Sequence, residues 1–338
     1  MNFRIRRGTN ISHWLSQSTR RGAEREAWFT QKDVAFIRSL GFDHIRLPVD
    51  EVQLWAEDGR QDDEAFRLLN AALDWCEDAG LRVIVDLHIL RSHYFNDANV
   101  PALFTNPREA AKFVELWLEL SHHLQFRDKE QVAYELLNEA VAANPDDWNR
   151  VANAAFSAVR EVEPDRVIVL GSNWFNQAHT FDKLRVPDDR KTILTFHFYH
   201  PTLVTHHQAG WVRETGWYKG PVHYPGTPIT QADLHQVIEP DKRAALEKEN
   251  AAYDRAAMVR ELAKPLAVSK RTGLPLYCGE FGCLSTVPQP TRLAWYRDLI
   301  SVLAEHHIAW ANWDYKGSFG IIMKDGQDTG ILPALLGL

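Results

Sequence analysis

Short apolar runs alternate with stretches in which apolar residues return every three or four positions, and this alternation leaves the chain few folds to choose from. The clearest run, Leu81 to Leu87, is almost unbroken, as expected of a parallel strand covered on both faces. Before it lies a helix predicted over Asp62 to Ala79, with Ala65, Leu68, Leu69, Ala72, Leu73 and Cys76 on one face and Gly80 as its stop. Further strands are predicted over Phe3 to Ile11, His44 to Val49, Val132 to Leu137, Arg166 to Leu170, Thr192 to Phe196, Pro275 to Cys278 and Ala309 to Trp313. Thr30 caps a helix that reaches Leu40 and ends at Gly41, and Pro107 begins one whose Phe113, Leu116, Trp117, Leu120 and Leu124 share a face. Helices are also predicted over Asp147 to Glu161 and Arg292 to His306, with a weaker helical piece at Thr180 to Leu184. Parallel strands need right-handed crossovers, and a series of eight can close on itself. The expected fold class is therefore α/β, a (β/α)8 TIM barrel.

No Gly/Ser/Pro-rich linker divides residues 1–338, so a single catalytic domain is expected. The stretch from His197 to Pro275 is about twice as long as the other repeats, although about 30 residues suffice for a βαβ step. Its first half carries Trp211, Trp217, Tyr218 and Tyr224, and its second half is charged and helical. Loops of this length usually serve a function, so residues 200–272 are expected to form an inserted lid subdomain after strand six. A formal charge of -7 without any concentrated basic run argues against a nucleic-acid partner. No apolar stretch approaches the length of a membrane span. Cys76, Cys278 and Cys283 have no matching His or Cys cluster and read as buried thiols, so no metal and no cofactor are expected. The segment Met1-Asn-Phe-Arg-Ile-Arg-Arg has too few apolar residues for a signal's hydrophobic region. The chain is then either cytoplasmic, or secreted or periplasmic after removal of a leader. Its oligomeric state is open, with a monomer favoured.

The chemistry is carried by what stands at the strands' C-terminal ends, where barrels of this kind place their sites. Arg46 follows strand two, His88 strand three, Asn138 and Glu139 strand four, Trp174 strand five, His197 and Tyr199 strand six, Glu280 strand seven and Trp313 strand eight. A carboxylate just past a buried strand costs desolvation energy. Two of them, on separate strands, suggest an acid/base and nucleophile pair that cuts a glycosidic bond. Twelve Trp residues offer flat apolar faces suited to pyranose rings.

The motifs Ile45-Arg-Leu-Pro, Asp86-Leu-His, Leu137-Asn-Glu139, His197-Phe-Tyr199, Gly279-Glu-Phe-Gly and Ala311-Asn-Trp313 resemble those of glycoside hydrolase family 5, the cellulase family, from about Gly8 to Trp313. One departure is Ala140, where many members have Pro after the glutamate. Within the family, the likeness is nearest to bacterial endoglucanases with a long insertion after strand six. The resemblance implies Glu139 as general acid/base and Glu280 as nucleophile of a retaining hydrolysis. It also implies Arg46 close to Glu280, Tyr199 donating to Glu280, Asn138 binding the sugar 2-hydroxyl, His88 and His197 in support, and Trp313 as a sugar platform. Trp174 and Trp211 are candidate stacking surfaces. The expected activity is that of an endo-β-1,4-glucanase on a β-linked polysaccharide or oligosaccharide. Two alternatives stay open: the same chemistry on β-mannan, xyloglucan or β-1,3-glucan, and a noncatalytic carbohydrate-binding barrel.

Overall fold

In the computed structural model, which describes residues 3–97 and 99–338, eight strands form a closed parallel barrel in sequence order. They are β1 Arg7–Asn10, β2 His44–Val49, β3 Arg82–Leu87, β4 Val132–Glu135, β5 Ile168–Gly171, β6 Thr192–Phe198, β7 Leu276–Phe281 and β8 Ala309–Asn312. Gly8 stands opposite His44, His44 opposite Arg82, and Val83 opposite Val132. The leader reading rests partly on Met1 and Asn2, which lie outside the described residues. Among the described residues no helix is long and apolar enough to cross a membrane. All three cysteines are free and buried.

Every second residue of a barrel strand points inward, and here that alternation switches from oil to charge within one strand period. Ile84 of β3 and Ala133 of β4 join Phe3, Val167, Val169, Ile193, Tyr277 and Ala311 in a buried apolar cluster. Two residues further along the same strands stand Asp86 and Glu135, both wholly buried. The same step on β2 leads from His44 to Arg46. An apolar floor thus carries a charged layer on the side where barrel sites are built.

Local signals set the predicted helices. Thr30 and Asp33 form a capping box at the head of Gln31–Ser39, and the Asp62 carboxylate accepts from the Ala65 N–H before Asp63–Asp78. Pro107–Leu124 starts on proline and buries Phe113, Leu116, Trp117, Leu120 and Leu124. Two strands depart from expectation by three residues or more at one end. Strand one begins only at Arg7, because Phe3 is drawn into the floor cluster and does not extend the ladder. Strand seven runs on to Phe281, so Glu280 stands inside it and not beyond it.

Contacts divide the chain into two compact units: Met1–His197 with Lys264–Gly279 and Ala309–Ala311, and Phe198–Ala263 with Glu280–Ile308 and Asn312–Leu338. In the second unit the long segment after β6 is anchored on the helix Gln289–Glu305, through Trp295 Nε1 to the His200 carbonyl at 2.9 Å and Tyr224 Oη to Asp298 at 2.8 Å. That segment contains the helices Gln231–His235, Pro240–Glu249 and Arg255–Glu261.

In the first unit a buried ion pair ties helices to strands. The Arg166 guanidinium meets Glu163 at 2.7 Å, and the other oxygen of Glu163 accepts from Tyr134 at 2.7 Å and Ser121 at 2.6 Å. Removing one partner of such a pair leaves a buried charge uncompensated. Glu163→Ala should therefore cost about 3–5 kcal/mol in urea unfolding; a loss under about 1 kcal/mol, the value of an exposed pair, would contradict this reading.

Candidate active site

Beyond β4 the backbone turns sharply at Glu139, whose φ is +44°. A residue with a side chain resists this region, at a cost on the order of 1–3 kcal/mol, so the turn persists only because its surroundings enforce it. Asn138 N–H donates to the Leu87 carbonyl at 3.1 Å, and Phe175 N–H to the Ala140 carbonyl at 3.2 Å. Val141 N–H donates to His93 Nε2 at 3.3 Å, which can accept because burial lowers the His93 pKa to about 4. The Asn173 amide closes the bracket, accepting from Ala142 N–H at 2.9 Å and donating to its carbonyl at 2.8 Å.

The Glu139 carboxyl meets His197 Nδ1 at 2.7 Å. Asn176 Nδ2 lies 3.4 Å from the other ring nitrogen; an amide N–H can only donate, so it places the imidazole proton on Nδ1, facing Glu139. Burial, then the positive charges of Arg46 and His88, hold the His197 pKa well below its usual value. The imidazole beside Glu139 is therefore neutral. Asn176 fits because residue 171 is glycine: a Cβ there would stand 2.4 Å from its Oδ1.

Arg46 organises the charged layer. Its Nε and Nη2 fork onto Glu135 at 2.8 and 3.0 Å, and Nη2 also reaches Asp86 and Asn138 Oδ1, each at 3.0 Å. Nη1 donates to Asn10 Oδ1 at 3.0 Å, and Asn10 Nδ2 donates to the Gly279 carbonyl at 2.9 Å. His88 binds Asp86 through Nδ1 at 2.6 Å, with Gln17 Nε2 2.9 Å from its other nitrogen. Desolvation of the two buried carboxyls outweighs the guanidinium they share and pushes both up to about 7.

In the second unit Tyr199 Oη donates to Glu280 Oε2 at 2.9 Å. Tyr199 packs edge-on against His206 and Phe319, with centroids at 5.1 and 6.0 Å. Both of these touch Trp211, at 6.2 and 6.5 Å, and Trp211 is 56% exposed. A continuous aromatic surface thus leads from Glu280 to solvent. Trp313 is buried, and its N–H donates to the Phe281 carbonyl at 2.8 Å. Close packing explains both glycines of Gly279-Glu-Phe-Gly. A Cβ on Gly279 would meet Thr195 Oγ1 at 2.7 Å, and one on Gly282 would meet the Trp313 carbonyl at 2.5 Å.

The first unit therefore gathers Arg46, His88, Asn138, Glu139 and His197, while the second gathers Tyr199, Glu280, Trp313 and Trp211. Trp174 is exposed on the loop after β5, at a φ of +60°, next to Phe175 whose N–H holds Ala140. Sequence reasoning missed Glu135, Gln17, Asn173, Asn176, His206 and Phe319. Glu135 alone left a signal: a carboxylate on the inward face of β4, inside the motif that ends at Glu139.

The sequence matches the family described as Cellulase (glycosyl hydrolase family 5) over residues 7–318. Endoglucanase C of Acetivibrio thermocellus is 29% identical over 91% of this chain and 90% of its own. Cellodextrinase A of Ruminococcus flavefaciens is 25% identical over 90% of this chain and 84% of its own. The fold is similar to that of Thermotoga maritima Cel5A solved in complex with cellobiose, with a TM-score of 0.77 at 21% identity over 98% of this chain and 97% of that one.

The raised carboxyls of Asp86 and Glu135 make stability depend on pH with a definite sign. Between about pH 4, where such groups titrate in the unfolded chain, and about 7, where they titrate here, the folded protein holds protons that the unfolded chain has released. Their contribution to stability is full below that window and falls as pH rises through it, by up to about 1.4 kcal/mol per pH unit per proton. Urea unfolding from pH 4.5 to 7 should show a shallower decline for Asp86→Asn than for wild type; equal slopes would contradict the assignment.

Proposed function

Because the chain belongs to the cellulase family, glycosyl hydrolase family 5, and is therefore a glycoside hydrolase, we propose that Glu139 and Glu280 act on one glycosidic bond as the acid/base and nucleophile of a retaining endo-β-1,4-glucanase. Glu280 attacks the anomeric carbon and forms a glycosyl ester, while Glu139 gives its proton to the departing glycosidic oxygen. Water then attacks the anomeric carbon, Glu139 takes its proton, and Glu280 leaves as carboxylate.

The observation that carries this division of labour is the difference between the two carboxyls' partners. A phenol O–H donates to Glu280, and donation to a carboxylate favours its charged form. Glu139 has a neutral imidazole beside it, which lacks the charge a cation would use to strip its proton. Arg46, which the family resemblance sets close to Glu280, adds positive charge for the nucleophile.

Asn138 supports the same reading. Its Oδ1 is taken by Arg46, and its buried Nδ2 has no hydrogen-bond partner among the described residues, so Nδ2 is free to donate to the sugar 2-hydroxyl. Such a bond strengthens in the transition state. Trp313 serves as a platform under the cleaved sugar. Trp174 and Trp211 extend the binding surface, with the segment after β6 as a wall of the cleft. The substrate is a β-1,4-linked glucan, as the names of Endoglucanase C and Cellodextrinase A suggest.

On barley β-glucan or carboxymethylcellulose, Glu139→Gln should lower turnover by about 10²–10⁴-fold, with a smaller loss on substrates whose leaving group needs no proton. Glu280→Gln should abolish turnover yet bind oligosaccharide. Viscosity should fall early, and proton NMR should show the β-anomer as first product. An initial α-anomer would overturn the two-step scheme, and release of single units without a fall in viscosity would overturn the endo assignment.

A further inference from the structure

We propose that Glu135, a buried side chain that touches no substrate, is a positioning residue that acts through Arg46 to set the amide face that Asn138 presents to the sugar. The inference rests on the reading of Asn138 given above. Arg46 can only donate hydrogen bonds, so whichever oxygen faces it must be an acceptor. With Asn138 Oδ1 at 3.0 Å from Nη2, the amide cannot be turned over, and Nδ2 is directed away from the guanidinium. The same logic fixes Asn10, whose Oδ1 faces Nη1 and whose Nδ2 is thereby aimed at the Gly279 carbonyl, one residue before Glu280. The orientation of two amides therefore depends on where one guanidinium plane lies.

Glu135 sets that plane. It takes two parallel N–H bonds, from Nε at 2.8 Å and Nη2 at 3.0 Å, the fork geometry that fixes a guanidinium in angle as well as in position. Asp86 cannot substitute for it, because a single oxygen, Oδ2, meets Arg46 at 3.0 Å and also accepts from His88 at 2.6 Å. Glutamine at position 135 would keep the shape but offer one acceptor and one amide donor, and the donor would oppose an Arg46 N–H. The guanidinium would then turn to relieve the clash, and Asn138 would lose its fixed face. The bond to the 2-hydroxyl matters most in the transition state, so the loss should fall on kcat with KM little changed.

The test, run at pH 8, above the value of about 7 to which burial raises Glu135 and so with its carboxylate ionised, compares 4-nitrophenyl β-cellobioside with its analogue lacking the 2-hydroxyl on the sugar that is cleaved, using wild type, Glu135→Gln, Asn138→Ala and the double variant. Glu135→Gln should lower kcat on the parent glycoside by about 10-fold or more, the scale of one buried hydrogen bond to a neutral group, and change the rate on the 2-deoxy analogue less than twofold. The double variant should be no slower on the parent than Asn138→Ala alone. Equal losses on the two substrates, or losses that multiply in the double variant, would overturn the proposal and leave Glu135 a structural residue. Glu135→Asp, which keeps the charge but shortens the reach, should show the same split in weaker form and carries the test if Glu135→Gln does not fold. The underlying reading fails separately: wild type and Asn138→Ala would then show the same preference for the parent over the 2-deoxy analogue.

Discussion

A guanidinium buried inside the barrel is the constraint around which the first unit is built. Removing such a charge from water costs several kcal/mol, and the cost is offset only if nearly every N–H finds a well-placed acceptor. Arg46 finds Asn10, Asp86, Glu135 and Asn138. The first three stand on β1, β3 and β4, while Arg46 itself is on β2. Four consecutive parallel strands with inward alternation bring those side chains to one level, which is why this charge cluster needs the barrel to hold it. The layer below is apolar, so the charges cannot sink toward the floor.

A second constraint is steric. Glu139 is held in a left-handed turn by hydrogen bonds from the loops after β3, β4 and β5. The strain is stored because its release would break several of those bonds at once. Elsewhere the chain makes room by leaving side chains out: at Gly171 for Asn176, at Gly279 for Thr195 and at Gly282 for Trp313. These glycines matter for space, and none of the three has a positive φ. Orientation at the site therefore comes from crowding as much as from charge.

The fold was legible because its signals are local. His44–Val49 was bounded by Gly41 and by its own apolar run, and Asp63–Asp78 by an aspartate cap and a clean helical stripe. The ends of β1 and β7 were not, because what decides them is tertiary: Phe3 leaves the ladder for the floor, and Gly279 lets the strand continue past Cys278 into Glu280. At the site, Asn138 and Glu139 follow β4 as expected, whereas Arg46, His197 and Glu280, expected beyond their strands, stand within β2, β6 and β7; their motifs singled them out all the same. Glu135 lies in one of those motifs yet went unassigned, since its role depends on the register that sets β4 beside β3 and β3 beside β2. Asn173 and Asn176 belong to a loop whose run of positive φ at Trp174, Phe175 and Asn176 contains no glycine to announce it. The path from Trp211 to Tyr199 passes through Phe319, far along the chain, and no spacing rule reaches that far.

If, as proposed, a glycosyl group passes through Glu280 while Glu139 manages the proton, an ester on Glu280 can be made to accumulate. Incubation with 2,4-dinitrophenyl 2-deoxy-2-fluoro-β-cellobioside, followed by proteolysis and tandem mass spectrometry, tests it most directly, because the electron-withdrawing fluorine slows hydrolysis of the ester more than its formation from so good a leaving group. One cellobiosyl adduct is expected, on Glu280. An adduct on Glu139 or on another residue, or turnover of the unfluorinated glycoside without any trappable ester, would contradict it.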